Sequence, residues 1–214
     1  MSFAWVNDWM PELLVAALGT LRMTALAFLL AAFLGLLLAL ARLSRRASLS
    51  RLAFGYIEIV RGMPAVMLLF LIYFALTSWG ITLGAFAAAV VGLGLNGAAY
   101  LAEIYRAGIG AIHPGQREAA QMLGMRHFQV MRYVIFPQAL RVVLPPMANY
   151  LIALLKDTSI ASLISAPELM LRARDLSSEY FMPMQLYLLV GAMYLAMAYP
   201  LSRGVRYMEL RLLK

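Results

Sequence analysis

Long apolar runs, separated by short basic or polar segments, make up most of this 214-residue chain. A run of about 20 apolar residues is long enough to cross a bilayer as a helix, and these runs predict five transmembrane helices. The predicted spans cover residues 13–41, 57–77, 83–105, 139–164 and 184–203. The chain is therefore expected to be an all-α polytopic membrane protein in which residues 1–214 form a single transmembrane domain.

The charge distribution agrees with this prediction and orients the spans. Only 13% of the residues are charged, about half the share found in an average soluble domain. Residues 42–61, 103–141 and 203–214 carry five, five and four of the 18 Lys and Arg residues. Because basic residues collect in cytoplasmic loops, the N-terminus is predicted outside and the C-terminus inside. The net charge of +8 then reflects topology and does not indicate nucleic-acid binding.

A charged stretch from Glu118 to Pro137 interrupts the apolar pattern on the cytoplasmic side. Ala119, Met122 and Leu123 share one helical face, and Gly124 stands where a glycine commonly ends a helix. A second apolar face follows, made by Phe128, Met131 and Ile135. Two short helices joined at the glycine would present an apolar knob within a cytoplasmic loop of residues 106–138. The pattern equally fits a passive amphipathic hairpin lying on the membrane or on the protein's own spans.

Polar residues at membrane depth are the other candidates, because each is costly unless it has a partner or faces water. Asn96 lies among glycines in the third span, where it either joins packed helices or faces a pathway. The segment Lys156-Asp157-Thr158-Ser159 interrupts the fourth span. It forms either an internal Lys–Asp pair or a capped helix break, or it presents a carboxylate and two hydroxyls that face a pathway and suit an ammonium group.

The sequence lacks the usual signatures of catalytic, metal-binding and nucleotide-binding sites. Neither histidine, His113 or His127, has metal-ligand spacing around it, and neither lysine stands in a phosphate-binding loop motif. No catalytic residue, metal or cofactor is therefore predicted for this chain, and it is not expected to be an enzyme. If transport consumes ATP, a separate polypeptide must bind the nucleotide and its magnesium.

The charged stretch resembles the EAA loop of the membrane subunits of bacterial ABC importers. It has Glu118-Ala-Ala, a glycine six residues after the glutamate and a proline thirteen residues later, although its closing Val-Ile-Phe-Pro departs slightly from the family's Ile-x-Leu-Pro. Other segments resemble the polar amino-acid group of that family, which imports histidine, glutamine, glutamate, arginine, cystine and opines. These segments are Arg61-Gly62-Met63-Pro64, where Met63 replaces a threonine, Asn96-Gly-Ala-Ala-Tyr100-Leu-Ala-Glu103 and Lys156-Asp157-Thr158-Ser159.

This resemblance implies the transmembrane domain of a type I ABC importer, a permease that moves a polar amino acid across the bacterial inner membrane by alternating access. It implies three kinds of partner: a pair of ATPase subunits, a second permease copy or paralogue, and a periplasmic substrate-binding protein. The implied substrate site comprises Met63, Asn96, Tyr100, Asp157, Thr158 and Ser159. The implied ATPase-coupling residues are Glu118, Ala119, Ala120, Met122, Leu123 and Gly124.

Two other functions stay open on the sequence. The first is a secondary amino-acid transporter that is not driven by ATP, which would usually show more spans and a repeated half. The second is a channel or scaffold subunit, which would have no need of the apolar knob.

Overall fold

The computed structural model describes the backbone of residues 4–212 and the side chains of residues 9–211. The regular structure of these residues is helical, which confirms the all-α prediction. The helices are α1 (Ala4–Arg42), α2 (Ala47–Gly62), α3 (Ala65–Phe70), α4 (Leu76–Ser78), α5 (Ala85–Gly110), α6 (Pro114–Met122), α7 (His127–Gln129), α8 (Phe136–Asp157), α9 (Leu169–Tyr180) and α10 (Pro183–Leu212). Three further segments join them: π turns at Leu71–Ala75 and Val130–Ile135, and a 3-10 helix at Thr158–Ile164.

Four helical segments are long and apolar enough to cross a membrane. They are Trp9–Arg42, Ala85–Gly110, His127–Ile164 and Pro183–Arg211. The bent pair Ala47–Gly62 and Ala65–Ser78 makes a fifth crossing when it is counted as one broken span. The predicted order of apolar spans is therefore kept.

The second predicted span, residues 57–77, is wrong as a single straight helix. The chain bends by 107° between α2 and α3, at Met63 and Pro64. Met63 is extended, with φ −102° and ψ 139°, because a proline disfavours helical backbone in the residue before it. Helical hydrogen bonding restarts at the Pro64 carbonyl, which accepts from the N–H of Met67 at 2.9 Å. The first part of the predicted span therefore belongs to α2.

The last two predicted spans, residues 139–164 and 184–203, are parts of longer helical segments. The fourth is entered from α7 through a π turn without a break, and α8 contains Pro145 and Pro146. The fifth continues through α10 to Leu212 and carries a basic residue in its last turn. Positive charge is favourable at a helix C-terminus, so these basic residues mark the membrane boundary without ending the helix.

Helices α1 and α5 form the centre of the bundle, and small residues let them pack closely. A Cβ atom at Gly94 would lie 2.6 Å from Leu30, and one at Gly35 would lie 3.0 Å from the carbonyl oxygen of Ala98. The residue numbers of the contacting pairs rise together along the two helices, from Leu30 and Gly94 to Gly35 and Ala98. Helices α1 and α5 therefore run parallel. The first and third spans of a chain that crosses the membrane back and forth must run in the same direction.

Candidate functional site

The stretch after Gly110 folds as the helical hairpin that the sequence predicts. Helix α6 begins at a cap formed by His113, whose Nδ1 accepts a hydrogen bond from the N–H of Gly115 at 3.1 Å. Pro114 occupies the first helical turn, where its missing N–H costs nothing. One of the two histidines therefore has a structural role as a helix cap.

Helix α6 ends in a Schellman motif. The N–H of Met125 donates to the carbonyl of Ala120 at 3.2 Å, and the N–H of Gly124 donates to the carbonyl of Gln121 at 2.9 Å. Gly124 has φ +75°, a left-handed conformation that glycine adopts without strain. The prediction that Gly124 ends the first helix of the hairpin is confirmed.

The residues predicted to couple to an ATPase divide into an exposed set and a buried one. Met122 and Leu123 are 89% and 82% exposed, and Phe128 beyond the turn is 72% exposed. Ala120 is only 4% exposed and packs in a small apolar cluster with Val130. The hairpin therefore holds a core on its inner side and presents an apolar knob, Met122, Leu123 and Phe128, on its outer side.

The second predicted apolar face, Phe128, Met131 and Ile135, is not continuous. Phe128 is exposed whereas Ile135 is buried. The π turn Val130–Ile135 lies between them, and a π turn holds more residues than an α-helical one. Residues placed on one face by α-helical spacing are therefore rotated apart.

The remaining coupling residues, Glu118 and Ala119, are exposed on the hairpin. Glu118 forms no ion pair with any described side chain. The Nε2 of Gln138 donates to the Oε1 of Gln116 at 3.3 Å, which joins the hairpin to α8. The hairpin is thus attached to α8 both along the chain and by a side-chain hydrogen bond.

Helix α8 carries a stripe of three residues at seven-residue spacing, Val143, Tyr150 and Asp157, which lie on one face. Val143 lies against Gly108 of α5, and Tyr150 lies against Gly97. The residue numbers of the contacting pairs fall along α5, from Gly108 to Gly97, while they rise along α8, from Val143 to Tyr150. The two helices are therefore antiparallel. Asp157 therefore lies beyond Gly97, toward the outer end of α5.

Asn96 and Tyr100 are one helical turn apart on α5. The rings of Tyr100 and Tyr150 are stacked, with centroids 5.8 Å apart and planes at 20°. The guanidinium of Arg61 lies 5.6 Å from the Tyr100 ring centroid. Asn96 is buried, and neither its amide nor the Asp157 carboxylate makes a hydrogen bond or ion pair within residues 9–211.

Met63 reaches the same region through the bend between α2 and α3. Two residues earlier, Arg61 contacts Tyr100, and six residues later Leu69 packs against Gly92. Met63 lies between these two contacts along the chain, and it is partly buried. The structure thus brings Met63, which the resemblance alone suggested, to the region of the predicted site.

Thr158 and Ser159, predicted beside a pathway, use their hydroxyls within their own helix. Thr158 is buried and donates to the carbonyl of Leu155 at 2.7 Å, and Ser159 donates to the carbonyl of Lys156 at 2.8 Å. Lys156 and Ser159 line a cavity of about 310 Å³ against α10. No ion pair joins Lys156 to Asp157 in the described structure, so the internal Lys–Asp pair is not formed.

A buried carboxylate that the sequence pattern does not single out lies where the start of α9 packs against α1 and α10. Glu168 is 1% exposed and caps α9 by accepting from the N–H groups of Met170 at 2.8 Å and Leu171 at 2.6 Å. It also accepts from the hydroxyl of Tyr194 on α10 at 2.7 Å. The backbone N–H of Leu169, the residue after Glu168, donates to the hydroxyl of Thr20 on α1 at 3.0 Å. Glutamate is not among the residues that usually indicate an N-cap, so the cluster left no local signal.

We expect the substitution Glu168→Gln to flatten the pH dependence of stability. Burial raises the pKa of the Glu168 carboxyl above its ordinary value of 4.5, more than its hydrogen bonds lower it. The folded state therefore favours the protonated form. The contribution of this group to stability is full below its ordinary pKa and is lost as pH rises through the raised pKa. Gln does not ionise, so it does not undergo this loss, although it loses one cap hydrogen bond worth about 1 kcal/mol.

Thermal unfolding of the purified protein in detergent, from about pH 4.5 to about pH 8, measures this difference. The midpoint of the variant should lie below that of the wild type at the acid end, and the gap should narrow as pH rises. If the thermal midpoints of the wild type and the variant differ by the same amount at every pH, the raised pKa of Glu168 is contradicted.

Comparisons with known proteins identify the family and the fold. The family model for the binding-protein-dependent transport system inner membrane component matches residues 31–214. The glutamine transport system permease protein GlnP of Escherichia coli (strain K12) is 35% identical over 216 residues, 99% of each chain. The probable amino-acid ABC transporter permease protein YckA of Bacillus subtilis (strain 168) is 42% identical over 163 residues, 76% of this chain and 72% of that protein. A crystal structure of an amino acid ABC transporter with histidines is similar in fold, with a TM-score of 0.94, 37% identity and 99% of each chain covered.

Proposed function

Because the chain belongs to the family of binding-protein-dependent inner-membrane transport components and is a permease subunit of an amino-acid ABC importer, we propose that Asp157 binds the substrate's ammonium group and that the apolar knob docks on the ATPase. One observation carries the first half of this proposal. The Asp157 carboxylate and the Asn96 amide, on faces of α8 and α5 that meet at Tyr150, have no partner within residues 9–211. Groups of this kind at membrane depth are costly unless a ligand, water or a second subunit satisfies them.

The substrate would lie between α5 and α8, with its ammonium at Asp157 and with Asn96 one level further in. A carboxylate and an ammonium form a charge-assisted hydrogen bond, which is about twice as strong as a neutral one. Met63 and Tyr100 would line the inner side of this site. Thr158 contributes indirectly, because its hydrogen bond to the backbone closes the last turn of α8 and holds Asp157 in place.

The apolar knob suits a groove on a soluble partner. Its side chains are exposed, and they surround a glycine turn that is stabilised by two backbone hydrogen bonds. Protein interfaces commonly place such apolar anchors at their centre. The chain itself has no nucleotide-binding motif, so ATP and its magnesium would be bound by the partner, and this subunit would carry no catalytic residue.

Two further partners complete the proposal. Asp157 is exposed in the single chain, so a second permease copy or a paralogue would enclose the path on its open side. A periplasmic substrate-binding protein would deliver the amino acid at the outer end of the bundle. There α9 presents the charged side chains Arg174, Asp175 and Glu179 to solvent.

Uptake into proteoliposomes that contain the complete complex tests this function against secondary transport. Amino-acid uptake should stop when internal ATP is depleted and should continue when a protonophore collapses the proton gradient. The reverse pattern would favour a secondary transporter. Passive equilibration that neither treatment changes would favour a channel subunit.

A further inference from the structure

Tyr150 occupies the middle of the α8 stripe, one step inward from Asp157. A Cβ atom at Gly97 would lie 2.7 Å from the Tyr150 hydroxyl oxygen. Only glycine leaves room for the hydroxyl to rest against α5 at this point. Gly97 directly follows Asn96 in the chain, and Asp157 on α8 is close enough to interact electrostatically with Tyr150. The hydroxyl therefore rests against the turn of α5 that carries Asn96, on a residue of the α8 stripe that also includes Asp157.

The Tyr150 hydroxyl differs from those of Tyr56 and Tyr105, two other partly buried tyrosines of the bundle. Tyr56 donates to the carbonyl of Leu95 at 2.9 Å, and Tyr105 donates to the carbonyl of Ala32 at 3.3 Å. The Tyr150 hydroxyl makes no hydrogen bond within the part of the chain that the structure describes. Polar groups inside proteins are almost always hydrogen-bonded, so this hydroxyl is available to water or to a bound ligand.

The ring of Tyr150 is held firmly while its hydroxyl is unpartnered. It stacks on Tyr100, and Tyr100 is in turn covered by the guanidinium of Arg61. Stacked aromatic pairs and cation–π contacts each stabilise a fixed orientation. The hydroxyl is thus presented at a defined point, as recognition of one hydrogen-bonding group requires.

We propose that Tyr150 is a specificity-determining residue of the substrate site: its hydroxyl hydrogen-bonds the polar side chain of the bound amino acid, and its ring closes the inner side of the site together with Tyr100. The inference rests on the proposed substrate site at Asp157. It adds the group that distinguishes a polar side chain from an apolar one. A site built to hydrogen-bond a substrate group discriminates strongly against an analogue that lacks the group.

The substitution Tyr150→Phe tests the inference, because it removes the hydroxyl and keeps the stacked ring. The probes are glutamine, arginine and histidine, with methionine as an apolar reference of similar size. Binding to the purified permease–ATPase complex is measured from the rise of the thermal midpoint with amino-acid concentration. For the tightest-binding polar probe, the half-saturating concentration should rise on the order of tenfold. For methionine it should stay within about twofold.

Tyr105→Phe serves as the matched control, since it removes a hydroxyl from α5 that is already bonded to a carbonyl. Its half-saturating concentrations should equal those of the wild type. An equal change for polar and apolar probes in Tyr150→Phe, or no change for either, would overturn the inference. Asp157→Asn tests the underlying site separately, because it should weaken every probe. If it weakens none, or if no probe binds the wild-type complex, the proposed site itself is wrong.

Discussion

Replacing Met122 and Leu123 together with serine is expected to release the ATPase while the permease stays folded in the membrane. Both side chains are more than 80% exposed, so the isolated subunit loses little packing. Burying such a side chain in a partner's groove is worth about 2 kcal/mol. The double variant should therefore bind the ATPase more weakly by a factor on the order of 10²–10³. Co-purification of the ATPase from detergent measures this loss, and uptake into vesicles should fall with it.

Gly124 supplies matched controls for the same surface. Gly124→Val places a β-branched residue at φ +75°, which costs about 1–2 kcal/mol, whereas asparagine tolerates this conformation better. No atom lies within 4 Å of a Cβ atom built at Gly124, so a difference between the two variants reports on the backbone. The asparagine variant should retain the ATPase better than the valine variant. Full retention in the serine double variant and in Gly124→Val would mean that the hairpin is a passive surface element.

Asp157→Asn is expected to weaken substrate binding strongly without preventing assembly. The change keeps the size of the side chain and removes the charge that balances the substrate's ammonium. Hydrogen bonds to charged groups contribute about 1.5–3 kcal/mol, so the half-saturating substrate concentration should rise roughly 10- to 100-fold. Substrate-stimulated ATP hydrolysis in proteoliposomes measures the change.

Lys156→Gln is the matched control for Asp157→Asn. Lys156 is the adjacent residue and also carries a charge, but it lines the cavity against α10. Its loss should leave the half-saturating concentration near that of the wild type. Failure of Asp157→Asn to assemble would make Asp157 a structural residue. Equal effects of both substitutions would show that local charge, and no specific contact, governs binding.

The predictions that the structure confirms rest on local rules. Apolar runs of sufficient length mark helices that can cross a membrane; α1 and α10 contain the runs from which they were predicted, and α5 covers its run from residue 85 onward. Gly124 follows from the preference of glycine for left-handed backbone, which needs no knowledge of the rest of the molecule. Such rules depend on a few consecutive residues, so the sequence alone is sufficient.

The second span shows where prediction from hydropathy fails. Hydropathy adds up apolar residues without regard to chain direction, and it joined the two sides of the Met63–Pro64 bend into residues 57–77. The proline rule locates a break at this point. The 107° angle also depends on the packing of α2 and α3 against α5, which the sequence does not express locally.

The candidate site was predicted incompletely for a similar reason. Neighbouring residues in a helix point about 100° apart, so Asp157, Thr158 and Ser159, which were predicted together beside a pathway, point in different directions. Only Asp157 lies on the α8 stripe toward α5. Tyr150, which we propose as a further residue of the site, also lies on that stripe, but the stripe is identified only once the facing helix is known. Glu168 acquires its partners from α1 and α10, far away in sequence.

The antiparallel helix α8 has a mechanical consequence. Its 22 residues make a rod about 33 Å long, with the π turn of the hairpin at one end and Asp157 at the other. A tilt of about 10° moves one end of such a rod by about 6 Å relative to the other. If the knob docks on the ATPase and Asp157 binds the substrate as proposed, movement of the hairpin would be passed to Asp157 by leverage along α8 alone, a single helix in which Pro145 and Pro146 are the points able to bend.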